Sequence, residues 1–201
     1  MLSIVLAVAT MSARSSVVAG PGLVGPDSAL KVCAAVSASF DGDNGKRSAE
    51  AAERFYRAQL AASPDDAAAK TMLARVLSQC VIAHASIWSK ERLVKESNRL
   101  LSEVLARDST SWEARYTLAL NYYHAPGFFG WTDSAIRELE HLLAQQRDQH
   151  LFPEQAMPFL YLGNLYEKKG RHSDAKAVWL RGSQLFPENA RLRARVSGTA
   201  P

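Results

Sequence analysis

Apolar residues recur at spacings of three and four through most of this 201-residue chain, and glycine or proline interrupts them at intervals. Such spacing places side chains on one face of an α-helix. In one segment Met72, Val76 and Leu77 share a face, and Pro64 separates this segment from the preceding one. No stretch after residue 45 alternates in the manner of a β-strand. The pattern predicts an all-α chain of short amphipathic helices.

The most specific spacing lies near the C-terminus. It reads Phe159-x2-Leu162-Gly163-x2-Tyr166, then Gly170, then Ala175-x3-Trp179, and then Pro187. Gly163 and Ala175 are small enough to let two helices cross closely, and the aromatic residues fill the space around that crossing. Gly170 suits the end of the first helix and Pro187 the end of the second. The segment predicts one antiparallel helix pair.

This unit resembles the tetratricopeptide repeat, in which an aromatic residue, Leu-Gly, Tyr, Ala, an aromatic residue and Pro follow one another over about 34 residues. Two earlier units resemble it more loosely, Leu118-Ala119-x2-Tyr122 with Ala135-x3-Leu139, and Leu73-Ala74-x2-Leu77 with Ser97-x3-Leu101. Ala51-x3-Phe55 resembles the second helix of an incomplete first unit. The resemblance implies a right-handed solenoid of about three antiparallel helix pairs over residues 46–197, with long inter-helix connections and a C-terminal capping helix.

Two connections are longer than the repeat pattern requires. Gly163 and Ala175 are twelve positions apart, whereas the equivalent separation is four residues longer in the preceding unit and eleven longer in the unit before that. The shorter excess contains the aromatic loop, Pro126–Trp131, with Phe128, Phe129 and Trp131. Clustered aromatic side chains seldom all point into water. We expect them to cover the gap that the connection opens or to form a lip over a binding site.

The sequence contains no recognisable catalytic pattern. No two of its five histidines lie four apart on one helix face, and it has no HExxH, GxSxG, phosphate-loop or GxGxxG motif. No catalytic, cofactor-binding or metal-binding residue is therefore predicted. The sequence favours a binding protein over an enzyme.

The resemblance also implies where binding takes place, because the first helix of each repeat lines the concave face of the solenoid. The candidate groove residues combine aromatic, amide and basic groups, namely Arg75, Gln79, Tyr116, Tyr123, His124, Asn164 and Lys168. This mixture suits an extended peptide or an acidic group, and the alternative is that they are ordinary helix residues. The expected function is that of a protein- or peptide-binding scaffold.

The N-terminus predicts the compartment. The apolar run Leu2–Ala9 resembles the core of a secretory signal and is too short to span a bilayer, although no basic residue precedes it. The sequence divides into four segments. Residues 1–20 are expected to be a signal peptide or disordered N-terminus, and residues 21–45 a Gly/Pro/Ser-rich linker with a short helix. Residues 46–197 form the repeat domain, and residues 198–201 form a disordered tail. The protein is expected to be periplasmic or secreted, or cytoplasmic if the run is not a signal, with no integral membrane span in the mature chain.

The two cysteines, Cys33 and Cys80, form no CxxC motif, and they are either buried thiols or a disulfide in an oxidising compartment. The net charge is only +4, and basic and acidic residues alternate along the helices, so nucleic acid is not an expected partner.

The aromatic loop and the helix that follows it, which begins Ala135-Ile136-x2-Leu139-Glu140, also resemble the periplasmic T component of TRAP-type solute transporters. This narrower resemblance implies an alternative function, an accessory protein that binds a small acidic solute.

Overall fold

The computed structural model describes residues 42–146 and 152–198, and within these ranges the chain is helical and contains no strand. The helices are α1 (Gly42–Ala62), α2 (Ala67–Arg75), α3 (Ile87–Arg107), α4 (Trp112–Tyr123), α5 (Thr132–Gln145), α6 (Met157–Lys168), α7 (His172–Leu185) and α8 (Ala190–Ser197). Each helix packs on the next. The first described helix thus begins at Gly42, within the segment 21–45 that the sequence assigns to the linker.

The ends of the helices have local causes in the sequence. Asp66 Oδ1 accepts a hydrogen bond from the Ala69 amide at 2.9 Å at the start of α2, and Asn189 Oδ1 accepts one from the Leu192 amide at 3.1 Å at the start of α8. These caps satisfy amides that have no partner within the helix. After α6, Gly170 adopts a φ of 74°, which a residue with a side chain rarely adopts. The predicted breaks at proline and glycine are confirmed.

Glycine residues allow α6 and α7 to approach each other closely where the two helices cross. A Cβ atom on Gly163 would lie 2.1 Å from Nε1 of Trp179, and one on Gly182 would lie 2.6 Å from Cβ of Phe159. The Trp179 Nε1 donates to the Leu160 carbonyl at 3.3 Å across the same crossing. Residues early in α6 thus meet residues late in α7, so the two helices run antiparallel.

The same arrangement recurs in the earlier pairs. Ala74 and Ser97 are fully buried between α2 and α3, and Ala119 and Ala135 are fully buried between α4 and α5. The Ser97 hydroxyl donates to the Ala74 carbonyl at 2.9 Å and accepts from Asn121 Nδ2 at 2.8 Å. This chain of hydrogen bonds links three successive helices.

Two hydrophobic clusters form the core along the solenoid. One joins α1 to α4 around Leu77 and Leu101, and the other joins α4 to α8 around Leu139 and Phe159. Tyr122 on α4 packs against both clusters. The predicted fold class is confirmed, with three helix pairs, α2–α3, α4–α5 and α6–α7, and α8 as the C-terminal cap.

The long connection after α2 is helical rather than a loop. The chain continues from Arg75 into a π-helical turn, Val76–Cys80, and a 3-10 turn, Val81–His84. Cys80 in this segment is buried and is joined in a disulfide. Cys33, the predicted signal segment and most of the linker lie outside the described residues.

Replacing Gly163 by alanine is expected to lower the free energy of unfolding by about 3 kcal/mol, because the new methyl group would force Trp179 out of its packed position. Urea denaturation followed by circular dichroism measures this loss.

The matched control is Gly127→Ala, because no heavy atom lies within 4 Å of the position of its added Cβ. We expect it to change the free energy of unfolding by less than about 0.5 kcal/mol. Equal losses in both variants would show that the crossing distance between α6 and α7 does not limit stability.

Candidate functional site

Aromatic side chains join the first helices of the last two pairs. The ring of Tyr123 on α4 lies 4.5 Å from that of Tyr161 on α6, measured between centroids, and 4.9 Å from His124. Asn164 Nδ2 donates to the Tyr123 hydroxyl at 3.3 Å. We call the side of the solenoid formed by α2, α4 and α6 the first-helix face, and this cluster occupies its C-terminal half.

Tyr116 lies on α4 about two helical turns before Tyr123. Its ring stacks on Trp112 at 4.7 Å, and burial raises the pKa of its hydroxyl above the ordinary value. Arg75 and Tyr161 both act electrostatically on this hydroxyl. Tyr116 therefore lies within electrostatic range of both the aromatic cluster and the basic residue on α2.

Arg75 is the most unusual polar residue of this face. Its side chain is buried, with only 5% of the residue exposed, yet within the described parts of the chain it makes no hydrogen bond or ion pair. Burial lowers its pKa, and Glu113, too far away for an ion pair, opposes this shift. A guanidinium carries five N–H donors, and leaving a buried charge unpaired is costly. The Nε atom of Arg75 is the buried donor that has no hydrogen-bond acceptor within the described residues.

A cavity of about 560 Å³ lies between the segment that follows α2, the start of α3, the end of α4 and the aromatic loop. Its described lining is largely apolar, with Ile82, Ile87, Trp88, Val94, Leu120, Ala125, Pro126, Phe128, Phe129 and Trp131. Its polar lining residues are Ser78, Gln79, Lys90, Glu91, Asn121 and His124. We call it the edge cavity, because it lies where the two long connections meet.

The aromatic loop forms one wall of the edge cavity. Trp131 packs on Tyr122 of the core with ring centroids 5.4 Å apart, and Phe129 stacks on Trp131 at 4.6 Å. Phe128 follows at 4.7 Å from Phe129 and is 84% exposed. The loop is therefore fixed to the core at one end, and its other end stands at the mouth of the cavity.

The predicted groove residues fall into separate places. Tyr123, His124 and Asn164 come together, and Tyr116 lies within electrostatic range of Arg75. Gln79 lines the edge cavity, as does His124, so this histidine belongs to both places. Lys168 is exposed in the last turn of α6 and forms no ion pair with a described residue.

The sequence pattern does not identify Tyr161 or Ile87 as candidate site residues. Tyr161 directly follows Leu160, which is buried. The helical period alone does not show that the Tyr161 ring faces Tyr123 on α4. Ile87 begins α3 after an irregular segment, where no period predicts its direction. The excess length of the connection was the only signal available for Ile87 and Trp88.

The described residues contain no group of three or more His, Cys, Asp or Glu side chains that is arranged to hold a metal ion. No helix among them is both long and apolar enough to cross a membrane. The chemistry that these residues offer is recognition by aromatic rings, amides and unpaired cations.

We expect Arg75→Met to raise the free energy of unfolding by about 1 to 2 kcal/mol, because it replaces a buried unpaired charge with an apolar side chain of similar length. Urea denaturation at neutral pH measures the gain.

The control is Arg115→Met, because Arg115 is also largely buried but its Nη1 lies 2.5 Å from Glu138 Oε2. Removing this partner is expected to lower the free energy of unfolding by about 2 kcal/mol or more. A loss of stability in both variants would mean that Arg75 has a partner in the fold.

No protein-family model matches the chain, and no curated protein matches it in sequence. Solved structures resemble it in fold. The crystal structure of MamA superposes with a TM-score of 0.57 at 20% identity, covering 80% of this chain and 83% of that one. TTC0263, a thermophilic TPR protein of Thermus thermophilus, superposes with a TM-score of 0.58 at 16% identity, covering 85% and 88%. The chain thus has the helical repeat fold of tetratricopeptide-repeat proteins, as its sequence predicts.

Proposed function

We propose that this protein is a non-enzymatic scaffold that binds a protein or peptide through its first-helix face, and that an acidic group of the partner binds Arg75. The observation that carries the proposal is that Arg75 is largely buried, forms no ion pair with a described residue and has an Nε atom without a hydrogen-bond acceptor among them. A carboxylate fits a guanidinium in a bidentate manner, and such a charge-assisted pair is among the stronger polar contacts. The partner would supply the anion that the fold omits.

The neighbouring side chains suit a peptide. Tyr116, Tyr123 and Tyr161 offer flat apolar surface with few rotatable bonds, and such residues are enriched where proteins bind one another. The Oδ1 atom of Asn164 is buried and accepts no hydrogen bond from a described residue, so a peptide amide that enters between the rings would supply the donor it lacks. Aromatic surface, an amide acceptor and a cation together can hold a short acidic segment.

The compartment is part of the proposal. Cys80 is joined in a disulfide, and disulfides persist in oxidising compartments. The apolar run Leu2–Ala9 has the character of a secretory signal. Both observations support action in the periplasm or outside the cell.

The second candidate, an accessory role with a TRAP-type transporter, stays a prediction. The aromatic loop that led to it forms a wall of the edge cavity, which favours a ligand at this place. Lys90 and Lys168 are further basic groups that a small acidic solute could reach in these regions.

Binding of acidic peptides tests the proposed function. We expect fluorescence anisotropy to show that labelled ten-residue peptides with aspartate or glutamate bind, and that Arg75→Met weakens this binding by about tenfold, the effect of losing about 1.4 kcal/mol. Tyr123→Ala is expected to weaken the binding of the same peptides, because it removes the ring that packs on Tyr161.

The control variant is Arg107→Met, because Arg107 is exposed and pairs with Asp65 at 2.6 Å away from this face. Its peptide affinity should equal that of the wild type. Peptides that bind Arg75→Met and Tyr123→Ala as tightly as the wild type would place the binding surface elsewhere.

Mass spectrometry of the mature protein from its native cell tests the compartment. We expect cleavage about twenty residues from Met1, as for a secretory signal. We also expect Cys80 to resist alkylation until a reductant is added, because it is joined in a disulfide. An intact N-terminus together with a Cys80 that is alkylated without reductant would contradict export.

A further inference from the structure

The edge cavity is built from the parts of the chain that exceed the repeat pattern. Ile82, Ile87 and Trp88 come from the longer connection, and Phe128 and Phe129 come from the aromatic loop. These two segments belong to different helix pairs and lie about forty residues apart in sequence. Both segments exceed the length of the repeat pattern, and both line one cavity.

The size and mouth of the cavity suit a small molecule. Its volume of about 560 Å³ lies within the range of about 300 to 1,000 Å³ that is typical of small-molecule sites. At the mouth Trp88 is 89% exposed and Ile87 is 72% exposed, facing the solvent without a partner among the described residues. Exposed apolar side chains mark an interaction site, and beside a cavity of this size a ligand-binding groove is the kind of site that fits.

The polar groups of the lining define the ligand further. Lys90 is the only lysine or arginine among the described lining residues, and it has no ion pair with any of them. Glu91 is the only lining carboxylate, and it pairs with Lys95 at 2.6 Å. The Oγ atom of Ser78 is buried and has no described hydrogen-bond partner. The lining therefore presents one uncompensated positive charge within apolar walls.

His124 does not change the charge that the lining presents to a ligand. It is the other titratable group in the described lining, and burial lowers its pKa, which favours the neutral imidazole near neutral pH. Its ring packs edge-on against Tyr123 and Tyr161. Lys90 thus remains the group that selects the charge of a ligand.

We propose that the edge cavity binds a free amphiphilic carboxylic acid, with its carboxylate at Lys90 and its apolar body against Trp88, Phe128 and Phe129. This site goes beyond the proposed peptide-binding function and does not use Arg75. A small hydrophilic acid would leave the rings in water, and an amphiphile with a cationic head would meet Lys90. A ligand with both a carboxylate and a hydrocarbon chain satisfies the two kinds of group together.

Isothermal titration calorimetry with the full chain tests the site. The probes are hexanoate, decanoate and decyltrimethylammonium, each below its micelle concentration. We expect decanoate to bind and each added methylene to strengthen binding by up to roughly fourfold until the cavity is filled, because burial of a CH₂ group favours binding to this degree. Decyltrimethylammonium should bind at least roughly tenfold more weakly, since it lacks the charge that Lys90 recognises.

Variants locate the binding. Trp88→Ala and Phe128→Ala are expected to weaken the binding of decanoate about tenfold. They should leave the thermal unfolding curve unchanged, because both side chains are exposed. Lys90→Gln is expected to remove the preference for decanoate over decyltrimethylammonium while leaving the effect of chain length. Its matched control is Lys176→Gln, an exposed lysine on α7, and the aromatic control is Phe55→Ala, whose ring is exposed on α1.

Other occupants give different results. If decanoate produces no heat, or if it binds Trp88→Ala as tightly as the wild type, the proposal is wrong. Sedimentation equilibrium that shows self-association lost in Trp88→Ala, without decanoate binding, would assign the exposed rings to a second copy of the chain. Flotation with phosphatidylglycerol vesicles that depends on Trp88, without binding of free decanoate, would assign them to a bilayer surface and would equally overturn the proposal.

Discussion

The close approach of paired helices at small residues is the constraint on which the rest of this structure depends. Gly163 lies against the indole of Trp179, and Gly182 lies against Phe159, so α6 and α7 cross at a distance that no larger side chain permits. Alanine and serine occupy the equivalent buried places in the earlier pairs. A pair that is joined in this way still has an uncovered apolar face, and only the next pair covers it. The solenoid follows from this requirement.

The same constraint explains where the additional residues of the two long connections lie. The close crossing fixes the two helices of a pair near their middles. The additional residues of a long connection therefore lie at the end of the pair where the two helices are joined. After Arg75 they form a π-helical turn and a 3-10 turn, and after α4 they form the aromatic loop. Successive pairs stack in the same orientation, so these segments lie side by side. The edge cavity is the space between them.

Arg75 and Lys90 form no ion pair with a described residue, and each lies beside apolar surface. Arg75 is buried without a described partner, although a buried unpaired charge reduces stability. Lys90 lines the edge cavity, where the neighbouring Glu91 pairs with Lys95. The first lies among the tyrosines of the first-helix face and the second among exposed aromatic rings. This separation favours two binding sites of different chemistry, one for a peptide and one for an amphiphilic acid.

The sequence by itself determined the helices, their breaks and the crossings, because these depend on local spacing and on small residues at fixed positions. It also placed Tyr123 and Asn164 on one face, since a helical period and the repeat pattern relate these positions. Only the tertiary structure decided that Arg75 is buried without a partner among the described residues and that Trp88 and Phe128 border one cavity. These features arise from contacts between helix pairs far apart in sequence, and irregular connections have no period from which such contacts can be predicted.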